Sequence, residues 1–308
     1  MTTRTSDLLL TAIAPVIWGS TYIVTTEFLP NFSPMTVALL RALPAGLLLL
    51  LIVRQLPTGI WWLRVFILGA LNFSIFWSML FIAAYRLPGG VAATVGAVQP
   101  LIIVFIAAAL LGSTIRFYSV LAAVVGLAGV ALLVLAPDAT LDSIGVAAGV
   151  AGAVSMAFGT VLTRKWQPPV SLLTFTAWQL TAGGILLVPT ALLFEPMMPM
   201  PTGANLFGLI WLGLIGAALT YVFWFRGISR IEPAVVSLLG FLSPATAVLL
   251  GWLFLNQSLT LFQIIGVVLV IGSIWLGQRT DHATTLSSKG GDPIASSAML
   301  RGSPQRSR

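Results

Sequence analysis

Apolar residues in this chain are gathered into ten segments of membrane-spanning length, and short connectors rich in proline, glycine and charge separate them. An α-helix rises 1.5 Å per residue, so about 20 apolar residues cross the hydrocarbon core of a bilayer. We place the segments at 8–28, 35–53, 64–85, 91–111, 117–136, 143–163, 171–194, 204–225, 233–255 and 260–278. The pattern predicts an all-α polytopic membrane protein with ten transmembrane helices.

The two halves of the chain repeat the same order of features. The matched pairs are Trp18-Gly19-Ser20 with Phe158-Gly159-Thr160, Arg41 with Gln179, Trp77 with Tyr221, Arg86 with Arg230, and Gln99-Pro100 with Ser243-Pro244. Each half holds five segments, and an odd number forces the second half to enter the bilayer in the opposite orientation. We predict a five-helix repeat over residues 1–138, an inverted five-helix repeat over 139–279 and a disordered polar cytoplasmic tail over 280–308.

Basic residues show which ends of the segments face the cytoplasm. With the N-terminus inside, every Lys and Arg falls on the cytoplasmic side except Arg86, which is outside, and Arg41, which lies within a segment. Cytoplasmic loops of membrane proteins carry an excess of basic residues. The distribution therefore predicts that both termini are cytoplasmic, and the inner membrane of a bacterium is the expected location.

Composition narrows the class of protein further. Hydrophobic residues make up 58% of the chain and charged residues 7%, and the mean hydropathy is +1.04, which excludes a water-soluble domain. The chain has no cysteine and its one histidine is His282 in the tail, so a metal site within the membrane is not expected. The net charge of +7 follows from topology and does not predict a nucleic-acid partner.

Arg41 is the sharpest candidate for a functional side chain. It lies about two turns inside the second segment, roughly 10 Å along the helix axis from Pro34. An ionised group at that depth is costly unless it is paired or faces a wet cavity, so a substrate-binding role is one interpretation. The other interpretation is that its long side chain reaches back to the outer headgroups.

Seven further residues in the middle of the segments are candidates for binding a substrate. They combine aromatic faces with a few large amides, a mixture that suits an amphipathic small molecule. Hydrogen bonds between packed helices are the alternative role for the polar members. The seven candidates are Trp18, Asn72, Trp77, Gln99, Gln179, Tyr221 and Trp224.

The order of motifs resembles the EamA family of the drug/metabolite transporter superfamily. The resemblance rests on Trp18-Gly19-Ser20, on the prolines of segments four and nine, and on the closing run from Ser237 to Gly277. The segment Trp18-Gly19-Ser20-Thr21-Tyr22, together with Arg41-Ala42-Leu43-Pro44-Ala45-Gly46, is also similar to a bacterial branch linked to export of the pigment indigoidine. The resemblance implies ten spans and a transport activity.

The chain departs from the family pattern at two places. Members usually carry Gly-Glu at the ends of spans four and nine, where this chain has Gly112-Ser113 and Asn256-Gln257. Any role of those glutamates therefore does not carry over to this protein.

These features predict an inner-membrane secondary transporter that exports a small organic metabolite, such as an amino acid or a derivative, by alternating access. The alternative is a membrane-embedded sensor or regulatory protein without net transport. An enzyme is disfavoured, because histidine, cysteine and paired carboxylates are missing from the spans. We expect no catalytic residue and no cofactor. The expected partners are the metabolite and the lipid bilayer, with the protein acting as a monomer or homodimer.

Overall fold

The computed structural model describes residues 3–87, 94–134, 142–255 and 260–289, and within these ranges it contains helices and no strand. Ten helices are long and apolar enough to cross a membrane. They are α1 (Arg4–Phe28), α2 (Pro34–Val53), α3 (Trp61–Ala83), α4 (Thr94–Leu111), α5 (Phe117–Val134), α6 (Ser143–Lys165), α7 (Leu172–Phe194), α8 (Gly203–Arg230), α9 (Pro233–Phe254) and α10 (Leu261–Gln278). The predicted all-α fold with ten spanning helices is confirmed.

Equivalent helices of the two halves pack in equivalent ways. The helix α2 packs along α7, its counterpart in the repeat, and α5 packs along α10. The contact of α1 with α8 in one part of the bundle matches the contact of α6 with α3 in the other. Exchanging the halves therefore reproduces the pattern of helix contacts.

Glycines at the α2–α7 contact show the relative direction of these two helices. Gly46 lies against the backbone of Thr181, and Gly184 lies against the backbone of Leu43. The contact with the higher residue number in α2 has the lower residue number in α7, so the two helices run antiparallel. An inverted repeat requires this arrangement of counterpart helices, although the inversion across the bilayer itself remains a prediction.

Two helices contain π-helical stretches at matching places in the repeat. One runs from Ala70 to Ser74 in α3 and the other from Trp211 to Leu219 in α8. A π-helical stretch shifts the register of the hydrogen bonds and occurs often at functional sites. Both stretches lie in the middle of the bundle.

Helices α4 and α9 are interrupted just before a proline. In α4 the regular helix starts again at Gln99, ahead of Pro100, and in α9 it starts again at Leu242, ahead of Pro244. Proline lacks the amide hydrogen that the preceding turn would use, which accounts for a break at this point.

The end of the chain differs from the predicted tail. The last helix continues to Lys289, beyond residue 280, where the sequence predicts disorder to begin. Adding residues to a helix that has already nucleated costs far less than starting one, so polar residues can extend α10. Residues 290–308 lie outside the described residues, as do Asn256 and Gln257.

Candidate functional site

Aromatic rings from α1, α3 and α8 form a central cluster. The Trp18 ring centroid lies 5.1 Å from that of Tyr221 and 5.0 Å from that of Trp224. Phe73 lies 4.7 Å from Tyr221 and 5.4 Å from Trp77. The rings of Trp77, Tyr221 and Trp224 are buried. The structure thus brings four of the predicted aromatic candidates together and adds Phe73.

Arg41 points into the bundle beside this cluster. Its side chain is buried, with a relative exposure of 9% for the residue. The guanidinium carbon lies 5.2 Å from the centroid of the Trp77 ring, and Nη2 donates to the carbonyl of Gly216 at 2.6 Å. Among the described residues no carboxylate forms an ion pair with Arg41.

The carbonyl of Gly216 is shared by several donors. It accepts from Arg41 Nη2, from Trp18 Nε1 at 3.1 Å and from Thr220 Oγ1 at 2.9 Å. Gly216 lies in the π-helical stretch of α8, where the altered backbone register frees carbonyls for such contacts. The stretch therefore orients both Arg41 and Trp18.

Asn72 and Gln179 form a second polar centre. Asn72 Nδ2 donates to Gln179 Oε1 at 2.8 Å and to Thr163 Oγ1 at 3.3 Å. Gln179 is fully buried and Asn72 is 1% exposed. The three side chains connect α3, α6 and α7 in the part of the bundle where the N-terminal half meets the C-terminal half.

The two polar centres occupy equivalent places in the repeat. The residue offset that relates Trp77 to Tyr221 also relates Asn72 to Gly216, and Arg41 corresponds to Gln179. Each centre therefore joins a residue of α2 or α7 to a π-helical stretch of the opposite half. From the α2–α7 contacts, the centres lie about 10 Å apart along the helix axes.

Several buried donors have no hydrogen-bond partner among the described residues. Three are nitrogens and two are hydroxyls, and a buried polar group without a partner costs free energy. They are Arg41 Nε, Gln179 Nε2, Trp224 Nε1, Thr160 Oγ1 and Thr181 Oγ1. The central region is thus rich in unused donors, and it would favour a ligand that presents acceptor oxygens.

Among the described residues, Gln99 is the one predicted site residue that joins neither the aromatic cluster nor either polar centre. It is half-buried at the start of the regular part of α4. No hydrogen bond or ring contact between Gln99 and the other candidates is present in the described part of the chain. Sequence reasoning also missed Phe73 and Gly216, since apolar rings and backbone carbonyls give no polar side-chain signal.

Comparisons with known proteins agree with this architecture. A sequence model of the EamA-like transporter family matches residues 5–135 and 143–277. The chain belongs to the EamA-like transporter family. This confirms the resemblance that the motifs indicate, and it makes the protein a multi-pass membrane protein of a transporter family.

Individual relatives of this EamA-like transporter cover most of its length. Protein PecM of Dickeya dadantii is 46% identical over 267 residues, which span 86% of this chain and 90% of PecM. The uncharacterized inner membrane transporter YedA of Escherichia coli is 26% identical over 85% of this chain and 87% of its own length. A solved crystal structure matches with a TM-score of 0.76 and 23% identity over 88% of this chain and 97% of the other, which shows the fold.

Proposed function

We propose that this EamA-like transporter exports a small organic metabolite that carries an anionic group, by alternating access across a bacterial inner membrane. Both termini are cytoplasmic in this proposal, and the two five-helix halves are inverted relative to each other. Membership of the transporter family and transporter relatives such as YedA support the transport class. The antiparallel packing of α2 with α7 supports the inversion.

The observation that carries the proposal is the buried guanidinium of Arg41, which has no acidic partner among the described residues. A buried charge is costly until an opposite charge joins it. Arginine stays ionised and binds carboxylates through its planar fork, and Nε is still unused. An anionic group of the substrate is the natural partner for it.

The surroundings of Arg41 favour a substrate with an apolar or planar body. Trp18, Trp77, Tyr221 and Trp224 provide ring faces within the same cluster. Aromatic walls with a few fixed polar groups are typical of sites for small organic ligands. Amino acids, their derivatives and small pigments all meet this description.

The test compares the growth medium of four strains in which the chromosomal gene is deleted. The strains produce the wild-type chain, Arg41→Gln, Arg54→Gln or no form of the protein, and untargeted mass spectrometry measures the extracellular metabolites. Arg54 is the matched control, because it is an exposed arginine at the end of the same helix. Membrane levels of each variant are measured by immunoblot.

We expect at least one anionic metabolite to accumulate outside cells with the wild-type chain and with Arg54→Gln, and to fall at least about tenfold with Arg41→Gln. Equal accumulation with Arg41→Gln would remove Arg41 from the site. If no metabolite depends on the protein although it is folded in the membrane, the sensor without net transport becomes the better explanation.

A further inference from the structure

An ion-pair network joins α1 to α8 at the end of the bundle where α1 begins, which we call the inner end. Asp7 Oδ1 accepts from Arg226 at 2.6 Å from Nη2 and 3.0 Å from Nε, and from Arg230 Nη1 at 3.3 Å. The Asp7 side chain is 11% exposed, and those of Arg226 and Arg230 are 30% and 50% exposed. One largely buried carboxylate thus ties two turns of α8 to α1.

Among the described residues, one ion pair joins α3 to α6 at the opposite, outer end. Arg86 Nη1 lies 3.8 Å from Asp142 Oδ1, and the two side chains are 46% and 40% exposed. The same Asp142 oxygen accepts from the Gly145 amide at 2.7 Å and so caps the start of α6. This carboxylate is therefore already engaged in local structure.

The two sets of contacts join corresponding helix pairs through corresponding arginines, but their carboxylates differ in position, because the offset that relates Trp18 to Phe158 places Ala147 opposite Asp7. Arg86 corresponds to Arg230, and the contact of α3 with α6 corresponds to that of α8 with α1. By the same residue offset, the counterpart of Arg226 is Ile82. The outer end lacks the second arginine, and its pair is longer and more exposed.

Physical chemistry makes the two contacts unequal in strength. Exposed ion pairs contribute little, because solvent screens them and ordering two side chains costs entropy. A carboxylate that accepts two bonds from one guanidinium is a stronger, charge-assisted contact, and removing one partner leaves a poorly solvated charge. The inner contact resists separation of its helices more than the outer contact does.

We propose that Asp7, Arg226 and Arg230 form an inner latch that keeps the cytoplasmic ends of α1 and α8 together, with Arg86–Asp142 as its weaker outer counterpart. The latch biases the resting protein away from the inward-open conformation. This inference rests on the alternating access and the membrane orientation of the proposed function, but its test does not depend on knowing a substrate.

The chain has no cysteine, so one introduced thiol reports on one position. Thr11 is buried, lies one turn deeper than Asp7 and packs against Gly227 of α8, which makes Thr11→Cys the inner reporter. Ala83 is fully buried three residues before Arg86, which makes Ala83→Cys the outer reporter. A membrane-impermeant maleimide labels intact cells and inverted vesicles, and gel shifts give the rates.

In the Thr11→Cys background, we expect Asp7→Asn to raise the labelling rate in inverted vesicles at least about tenfold. Arg226→Ile gives the inner latch the isoleucine that Ile82 provides at the outer end, and we expect it to raise this labelling rate by a smaller factor of about threefold. In the Ala83→Cys background, Asp142→Asn changes labelling in intact cells less than about twofold, and asparagine still caps α6.

A variant that adds a contact tests the latch even if Asp7→Asn reduces the folded fraction. Ile82→Arg adds the missing second arginine at the outer end, and we expect it to slow outer labelling of Ala83→Cys by about threefold. Arg54→Gln, away from both contacts, leaves inner labelling unchanged. Size-exclusion profiles in detergent verify folding of every variant.

Two results would overturn the latch. The first is an unchanged inner labelling rate in both Asp7→Asn and Arg226→Ile, and the second is an equal response of the outer reporter to Asp142→Asn. If the labelling rates follow the prediction but the protein exports no metabolite, the proposed function is contradicted and the latch still stands. Accessibility of the inner reporter from the outside would instead contradict the assigned orientation.

Discussion

The two polar centres of the bundle have the same place in the repeat and different chemistry. In one, Arg41 of α2 donates to the Gly216 carbonyl in the π-helical stretch of α8. In the other, Gln179 of α7 accepts from Asn72 in the π-helical stretch of α3. Both halves thus have a contact between α2 or α7 and the π-helical stretch of the other half, but the residues that form this contact differ.

This difference indicates separate roles for the two centres, one in helix packing and the other in substrate binding. The amide pair is joined by its own hydrogen bond, leaves Gln179 Nε2 without a partner among the described residues, and carries no net charge. The arginine centre retains a full charge that no described side chain neutralises. We infer that the Asn72–Gln179 centre contributes mainly to packing and that substrate choice depends on the Arg41 centre.

The largest expected effect is on transport. Arg41→Gln gives both centres a neutral amide, and we expect export of the anionic metabolite to fall about 100-fold, because losing one partner of a buried charged contact costs about 3 kcal/mol. Gln179→Leu is predicted to reduce export less than about tenfold. Initial rates of export, normalised to the amount of protein in the membrane, compare the two variants. Equal losses of export in Arg41→Gln and Gln179→Leu would contradict the separate roles of the two centres.

Substituting the two equivalent glycines tests how tightly each half is packed. A Cβ on Gly19 would lie 2.6 Å from Thr246 Cβ and 2.7 Å from the Ser243 carbonyl oxygen, where backbone cannot easily give way. We expect Gly19→Ala to destabilise the protein by about 3 kcal/mol. A Cβ on Gly159 would overlap the side chain of Asn72, which can move, and would lie 3.3 Å from the Asn72 backbone nitrogen, so a loss of about 1.5 kcal/mol is predicted for Gly159→Ala. Unfolding in mixed micelles measures both.

Removing the amide pair has a smaller predicted effect. Asn72→Leu leaves Gln179 Oε1 without its donor, and hydrogen bonds between membrane helices contribute only about 0.6–2 kcal/mol. We predict a loss of about 1 kcal/mol in unfolding free energy and nearly normal export. A loss of export as large as that of Arg41→Gln would place the amide centre in the binding site.

Gly216→Ala gives the smallest predicted effect. Its Cβ would lie 3.5 Å from Arg41 Nη2 and 3.6 Å from the Trp211 carbonyl oxygen, which are ordinary contacts. Alanine also favours helical backbone by up to about 1 kcal/mol over glycine. We expect unchanged or slightly higher stability and export within about threefold of wild type. A strong loss of export would show that the π-helical stretch must deform during transport.

Much of the fold was predictable because the bilayer imposes a simple rule. Any segment in the hydrocarbon core must satisfy its backbone hydrogen bonds internally, so apolar runs of sufficient length form helices. The predicted limits of α2 and α7 differ from the observed ones by a single residue at one end. The π-helical stretches were not predictable, because Ala70–Ser74 and Trp211–Leu219 share no residue pattern that distinguishes them from α-helix. Neither contains a proline, and Asn72 and Ser74 of the first stretch have no polar counterparts in the second.

The candidate site was predictable only in part. Arg41, Asn72 and Gln179 stand out because charges and large amides are rare in membrane spans. Gln99 satisfies the same rule and yet lies away from the cluster, since a single sequence does not show which face of α4 meets the interior. The carbonyl of Gly216 was not predictable as a shared acceptor, because a glycine gives no side-chain signal in the sequence.

The most direct test of the central claim is a binding measurement with the exported metabolite and its neutral amide derivative. Tryptophan fluorescence of the purified protein reports binding, because Trp18, Trp77 and Trp224 lie around Arg41 and Tyr221. We predict that the wild-type protein and Gln179→Leu bind the anion at least about tenfold more tightly than the amide, and that Arg41→Gln binds both alike. Retained preference for the anion in Arg41→Gln would contradict the account.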